Sequence, residues 1–89
     1  MEVTKQMVEP EHIVERVSAE LGDGTTVDVT DLTGTKDHYE AIIVSPAFQG
    51  KLPIKRHRMV YAALAEEMKG PIHALTLQTF PPEEWEKLA

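Results

Sequence analysis

Two histidines, His38 and His73, each stand at the start of a predicted β-strand, where an imidazole could ligate a metal. Neutral imidazole suits zinc, copper and iron. If the two strands are parallel neighbours about 5 Å apart, both rings emerge at one end of the sheet and can reach one metal centre. Two nitrogens do not complete a structural zinc site. An iron–sulfur cluster with two His and two thiolate ligands is reasonable, and since the chain has no cysteine, both thiols must come from another molecule.

A second candidate is the basic start of the main predicted helix. Four of the nine Lys and Arg residues lie between positions 51 and 58, and this stretch contains no Asp or Glu. Helix N-termini favour anions. The candidate nucleic-acid contacts are Lys55, Arg56, His57 and Arg58, called here the basic patch. The alternative is that His57 faces inward and satisfies a backbone carbonyl while both arginines stay solvated. A net charge of −6 and the lack of the Gly-x-x-Gly loop of KH domains weigh against nucleic-acid binding.

The remaining polar residues predict no catalytic site. His12 lies beside Glu11 and Glu15 on the first predicted helix and is interpreted as a surface residue. Ser18 and Ser45 have no base at a recognisable spacing. There is no glycine-rich phosphate loop. We therefore expect a protein that is not an enzyme.

Size and composition predict one small globular domain. The chain has 89 residues, of which 42% are hydrophobic, and it contains no cysteine, which excludes a secreted disulfide scaffold. The longest apolar run, residues 59–65, is far too short to span a membrane. No secretion signal is visible at the start. We expect a protein of the cytoplasm, or of an organelle matrix or stroma, that has no membrane contact.

The periodicity of apolar residues, together with Gly and Pro, predicts the element order α-β-β-(short turn)-α-β-α. Residues 1–8 are expected to be a flexible lead-in, and residues 9–89 to be the domain. The predicted elements are a helix from Pro10 to a Gly22 cap, strands at 26–30, 38–45 and 72–79, a turn opened by Ser45-Pro46, a main helix between Pro53 and Gly70, and a last helix from Pro82.

The connections predict how these elements assemble. The short loop between the first two strands makes them antiparallel, and the helix between the second and third permits a right-handed parallel crossover. The fold class is therefore α+β, a mixed three-stranded sheet with helices on one face. The apolar run at 41–44 suggests that both faces of the second strand are covered. Expected core residues are Val27, Val29, Ile43, Tyr61, Leu64, Leu75 and Trp85, and the expected apolar stripe of the main helix is Tyr61, Leu64, Ala65 and Met68.

Several separated elements agree in order and spacing with one known family. They are Phe48-Gln49-Gly50, Arg56-His57-Arg58, Val60-Tyr61, Ile72-His73-Ala74-Leu75, a histidine before the apolar run (His38) and Trp85 near the end. With these, the chain resembles the BolA family over roughly residues 9–88. The resemblance implies a domain with a layout similar to the type II KH fold.

The resemblance also implies a function. BolA-like proteins partner monothiol glutaredoxins and share a [2Fe-2S] cluster with them, to which the glutaredoxin contributes one Cys and a bound glutathione. The implied ligands here are His73, from the Ile-His-Ala-Leu motif, and His38, at a position where some members use a loop Cys instead. The isolated chain is expected to hold no cofactor and to be a monomer or weak homodimer. The alternative is a nucleic-acid-binding transcriptional regulator that binds DNA weakly through the basic patch.

Overall fold

The computed structural model describes residues 9–34, 38–70, 72 and 74–88, and the predicted lead-in at 1–8 lies outside these ranges. The elements are α1 (Pro10–Leu21), β1 (Thr26–Asp31), β2 (His38–Val44), a 3-10 turn (Pro46–Phe48), α2 (Pro53–Ala63), α3 (Ala65–Met68), β3 (Ala74–Phe80) and α4 (Pro82–Leu88). The predicted order is confirmed. Within the described ranges, no helix is long and apolar enough to cross a membrane.

The three strands form one sheet in the order β1-β2-β3. β1 pairs antiparallel with β2, as the short connection between them requires, and β2 pairs parallel with β3 after the helical crossover. The predicted mixed three-stranded sheet of an α+β domain is therefore confirmed. Its parallel pair places the beginnings of β2 and β3 side by side.

The hydrophobic core lies between the sheet and the helices. On β2 the alternate residues Tyr39, Ala41 and Ile43 are fully buried, and they pack with residues of α1, α2 and the 3-10 turn. The other buried members of this core are Ile13, Val17, Phe48, Val60, Leu64, Ile72 and Leu75. On the opposite face of β2, Val44 is buried, whereas Glu40 and Ile42 are half-buried. The expectation that both faces of this strand are covered is therefore confirmed at the end of the strand and only in part before it.

Two aromatic residues expected in the core are not among its buried members. Tyr61 is 39% exposed and Trp85 is 41% exposed. The Tyr61 hydroxyl donates a hydrogen bond to the backbone oxygen of Leu75 at 3.1 Å, so the ring lies along the edge of the sheet. Trp85 packs against Phe80 with 5.4 Å between ring centroids. The other predicted members are buried or, for Val27 and Val29, half-buried against the core.

The main helix breaks at Leu64, which ends α2 and caps α3 with non-helical dihedral angles. Its inner face carries Arg56, Val60, Ala63 and Glu67, and Leu64 is fully buried at the break. The predicted stripe is therefore one residue out of phase at Tyr61. The true inner stripe begins and ends with charged residues, which a search for apolar periodicity overlooks.

Two predicted local signals are confirmed. Gly22 ends α1 with a φ of 91°, and its N–H donates to the Ser18 oxygen at 2.9 Å. The Ser45 side chain accepts a hydrogen bond from the Ala47 N–H at 3.1 Å and so caps the 3-10 turn. A second bond of 2.8 Å links the hydroxyls of Ser45 and Thr25. This buried serine therefore joins the start of β1 to the end of β2.

Candidate functional site

The beginnings of β2 and β3 form the predicted metal-ligating end of the sheet. His38 is the first residue of β2, and in the parallel register it lies opposite Ala74, the first residue of β3. Its backbone oxygen accepts the Leu32 N–H at 2.8 Å, which fixes this end of the β1–β2 hairpin. The His38 side chain is half-buried. The structure thus brings one predicted ligand to the strand position next to the start of β3.

The second predicted ligand, His73, directly precedes Ala74 in the sequence and lies outside the described residues. The parallel strands on which the ligand pair depends are confirmed, and the pair itself stays a prediction. In the part of the chain that the structure describes, no three His, Cys, Asp or Glu side chains are grouped so that they could hold a metal ion. A cluster held at this end would thus take its thiolate ligands from a second molecule, since the chain has none.

A buried carboxylate on α3 links two helices beside this end of the sheet. Glu67 is only 8% exposed, and its Oε2 lies 2.6 Å from His12 Nε2 and 3.5 Å from Arg16 Nε. Arg16 also donates to the Ala63 oxygen at 3.2 Å. Burial raises the pKa of Glu67, but the hydrogen bond with His12 and the charge of Arg16 outweigh it and hold that pKa below its ordinary value. His12 is exposed, which confirms the prediction of a surface residue, and it also pairs with this buried carboxylate.

The backbone of Glu67 supports the approach to β3. Its carbonyl oxygen accepts hydrogen bonds from Gly70 N–H at 3.4 Å and Ile72 N–H at 3.0 Å. Ile72 is buried in the core, so the chain is fixed at the residue before His73. The ion pair across α1 and α3 thus restrains Glu67, to which Gly70 and Ile72 are hydrogen-bonded.

The basic patch is divided by the fold. Arg56 is 7% exposed, and its guanidinium donates to the backbone oxygens of Lys51 at 2.8 Å and Thr79 at 3.0 Å. The same group forms an ion pair with Glu84 at 3.0 Å. Arg56 therefore joins the loop before α2, the end of β3 and α4. The expectation that both arginines stay solvated is wrong for Arg56, because each of its three guanidinium nitrogens donates to an internal acceptor.

The other members of the patch keep different positions on α2. Lys55 and Arg58 are exposed, and His57 is half-buried. A polyanion that approached the start of α2 would meet the two exposed cations, but not the guanidinium of Arg56. Arg56 lies four residues before the buried Val60 and eleven before the buried Glu67, so helical spacing alone would have placed it on the inner face. A search for apolar periodicity does not assign a charged residue to the inner face of a helix, so the position of Arg56 was not predicted.

A comparison with protein families matches residues 5–84 to the family model described as BolA-like protein. Among curated proteins, human BolA-like protein 1 is 48% identical over 52 residues, which are 58% of this chain and 38% of that protein. The DNA-binding transcriptional regulator BolA of Escherichia coli is 44% identical over 55 residues, which are 62% of this chain and 52% of that protein. The matches thus span about two fifths to a half of the length of these relatives.

Solved structures give the same match over nearly the whole chain. A crystal structure of a bol-like protein from Babesia bovis superposes with a TM-score of 0.81 at 37% identity, and covers 93% of this chain and 95% of that one. A likeness at that identity and coverage includes the sheet, the helices and their order.

Proposed function

Because this chain belongs to the BolA family, we propose that it is a non-catalytic adaptor that binds a monothiol glutaredoxin and supplies histidine ligands to a shared [2Fe-2S] cluster. The ligands are His73 and His38. The observation that carries the proposal is the parallel pairing of β2 with β3, in which His38 lies opposite Ala74, the residue after His73. Neighbouring strands are about 5 Å apart, so ligands from these two positions can share one centre.

The side chains of this chain suit two of the four ligand positions of such a cluster. Its nitrogen donors are of the borderline softness that iron accepts, and it has no thiolate of its own. The glutaredoxin would contribute one cysteine and a bound glutathione, and this chain two imidazoles, as in the mixed His and Cys ligation of Rieske centres. When bound, the cluster supplies iron coordination sites and one-electron redox chemistry. The isolated chain then carries no cluster.

The half-buried position of His38 supports this role. A ligand at the start of a strand is held by the backbone pairing on both of its sides, since β2 is the central strand of the sheet. The hydrogen bond from Leu32 to the His38 oxygen adds a further restraint. Ligands on such ordered backbone lose little conformational freedom when they bind.

The proposal is tested by mixing the chain with a monothiol glutaredoxin, glutathione, iron and sulfide, and weighing the products by native mass spectrometry. We expect a species with one copy of each protein and one [2Fe-2S] cluster, which replaces the glutaredoxin homodimer as this chain is added. If the glutaredoxin homodimer stays the only cluster-bearing species at every ratio, the proposal is wrong.

A second candidate is a DNA-binding regulator, which is favoured by the similarity to the DNA-binding transcriptional regulator BolA of Escherichia coli. The exposed cations Lys55 and Arg58 would then contact phosphates. Binding of this kind weakens steeply as salt rises, because phosphate contacts release counterions. We expect only weak, salt-sensitive binding that the double substitution Lys55→Ala and Arg58→Ala abolishes. Tight, sequence-specific binding at physiological salt would instead favour the regulator.

A further inference from the structure

The two edges of the sheet differ in how their backbone groups are covered. At the β3 edge, the Tyr61 hydroxyl donates to the Leu75 oxygen at 3.1 Å. Further along, the Arg56 guanidinium donates to the Thr79 oxygen at 3.0 Å. Both side chains come from α2 and occupy two of the outward-directed carbonyls, so these acceptors are not available to another strand.

The β1 edge is open. Leu32 N–H donates to the His38 oxygen at 2.8 Å, so in the antiparallel register the even-numbered residues of β1 direct their N–H and C=O groups toward β2. Val27 and Val29 therefore direct theirs away from the sheet. Within the described part of the chain, no recorded hydrogen bond outside the helices and strands uses these groups. Unpaired groups of this kind are a template for an added strand.

A cleft of about 400 Å³ runs beside the same edge, between α1 and β1. Its apolar lining includes Val14 from α1 and Val27 and Val29 from β1, all half-buried. Its charged lining residues are the exposed acids Glu11, Glu15 and Asp28, and no Lys or Arg is among its lining residues. The cleft therefore combines an apolar surface, an open backbone edge and negative charge.

We propose that this edge, with the cleft beside it, binds an extended, basic segment of a partner protein by strand addition to β1. The backbone of the segment pairs with the outward groups of Val27 and Val29. Its alternate side chains face α1, where the apolar stems of Lys or Arg pack on Val14. Lys or Arg side chains of the segment meet the surrounding carboxylates. Strand addition of this kind takes affinity from main-chain hydrogen bonds and specificity from the side chains that alternate along the segment.

The charges favour a basic partner over a second copy of this chain. Two copies paired through their β1 edges would bring Glu11, Glu15 and Asp28 of one against the same acids of the other. Like charges that face each other across a strand pair destabilise it. The net charge of −6 on each copy adds to this repulsion. A cationic segment reverses the sign of the same interactions.

The first probe is a peptide of alternating lysine and valine, acetylated and amidated at its ends, added to the isotope-labelled full chain. We expect the largest amide shifts at Val27 and Val29 and slower hydrogen exchange there. A peptide of alternating glutamate and valine is the charge control and should not bind. Shifts of the lysine peptide that instead centre on α2 or α4 would overturn the proposal.

N-methylation of the probe tests the backbone pairing itself. One version is methylated on its valine nitrogens and another on its lysine nitrogens. In an added strand only alternate N–H groups face β1, so one version should lose binding and the other keep it. Equal binding by both would show that the peptide is held by charge alone, and the strand-addition proposal would be wrong.

Variants of the chain supply the matching test. The double variant Glu11→Lys and Glu15→Lys should weaken binding of the lysine peptide by about tenfold or more, since each exposed pair contributes up to about 1 kcal/mol. The control is Glu20→Lys with Glu86→Lys, which changes the net charge equally at exposed acids outside the cleft. Equal weakening by both double variants would contradict a localised site.

A backbone variant separates strand addition from self-association. Val29→Pro removes an outward N–H and no bond to β2, a change that edge strands tolerate. It should abolish binding of the lysine peptide. If this variant does not fold, the proposal is tested by the two double charge variants instead. Sedimentation of the free chain should give a monomer. A wild-type dimer that Val29→Pro dissociates would assign the edge to self-pairing and overturn the proposal.

Discussion

Replacing Arg56 with alanine should destabilise the fold strongly. The substitution removes charged donors from the backbone oxygens of Lys51 and Thr79, and a buried acceptor that loses a charged donor costs about 1.5 kcal/mol or more. Glu84 is half exposed, so water replaces its lost ion pair at little cost. We therefore expect the free energy of unfolding to fall by about 3 kcal/mol. For a domain of this size the melting temperature should fall by about 15 °C.

The assay is urea unfolding followed by circular dichroism, with two companion variants. Arg58→Ala is the matched control, because this neighbouring arginine is exposed and its loss should change stability by less than about 0.5 kcal/mol. Arg56→Lys keeps the charge but not the planar fork that serves several acceptors, so it should recover only part of the loss. An Arg56→Ala variant as stable as Arg58→Ala would refute the structural role of this guanidinium.

Two further predictions concern other buried polar groups. Ser45→Ala removes the cap on the Ala47 N–H and should lower the free energy of unfolding by about 1–2 kcal/mol, measured by urea unfolding; an unchanged midpoint would contradict the cap. The pKa of Glu67 is lowered in the folded state, so its ionised carboxylate stabilises the fold at pH values above its ordinary pKa of 4.5. That contribution is lost as the pH falls through the lowered pKa. The stability difference between wild type and Glu67→Gln should therefore shrink below about pH 4.5, whereas Glu66→Gln, at an exposed neighbour, should show no such dependence.

The order and topology of the elements were predictable because they depend on local signals. Gly22 ends the first helix and Ser45 opens the 3-10 turn through backbone rules that hold in any fold. A short loop and a helical crossover leave few ways to join three strands. The strand start at His38 followed from the same pattern.

The burial of charged groups was not predictable from apolar spacing. Arg56 and Glu67 lie on the inner face of the α2–α3 segment because the Thr79 carbonyl accepts a hydrogen bond from Arg56, and because His12 and Arg16 pair with the Oε2 of Glu67. Those partners are distant in sequence, so the stripe was assigned one residue out of phase. The exposure of Trp85 has a similar origin, since it depends on where α4 meets Phe80 at the end of β3.

The surroundings of the candidate metal-ligating end of the sheet are predictable only in part. The sequence pairs His38 with the start of the third strand, and the parallel register confirms that strand position. The hydrogen bond from the Ile72 N–H to the Glu67 oxygen was not predicted, because the position of Glu67 depends on contacts between α1 and α3.

The central claim is tested most directly by visible circular dichroism of the cluster reconstituted with a monothiol glutaredoxin. His73→Ala removes one iron ligand, so it should give the spectrum of the glutaredoxin homodimer in place of that of the mixed complex. His38→Ala should weaken the mixed complex less, because a loop residue or water can replace this ligand. His57→Ala, the matched control on α2, should keep the wild-type spectrum. A wild-type spectrum from His73→Ala together with its loss in His57→Ala would contradict the proposed ligands.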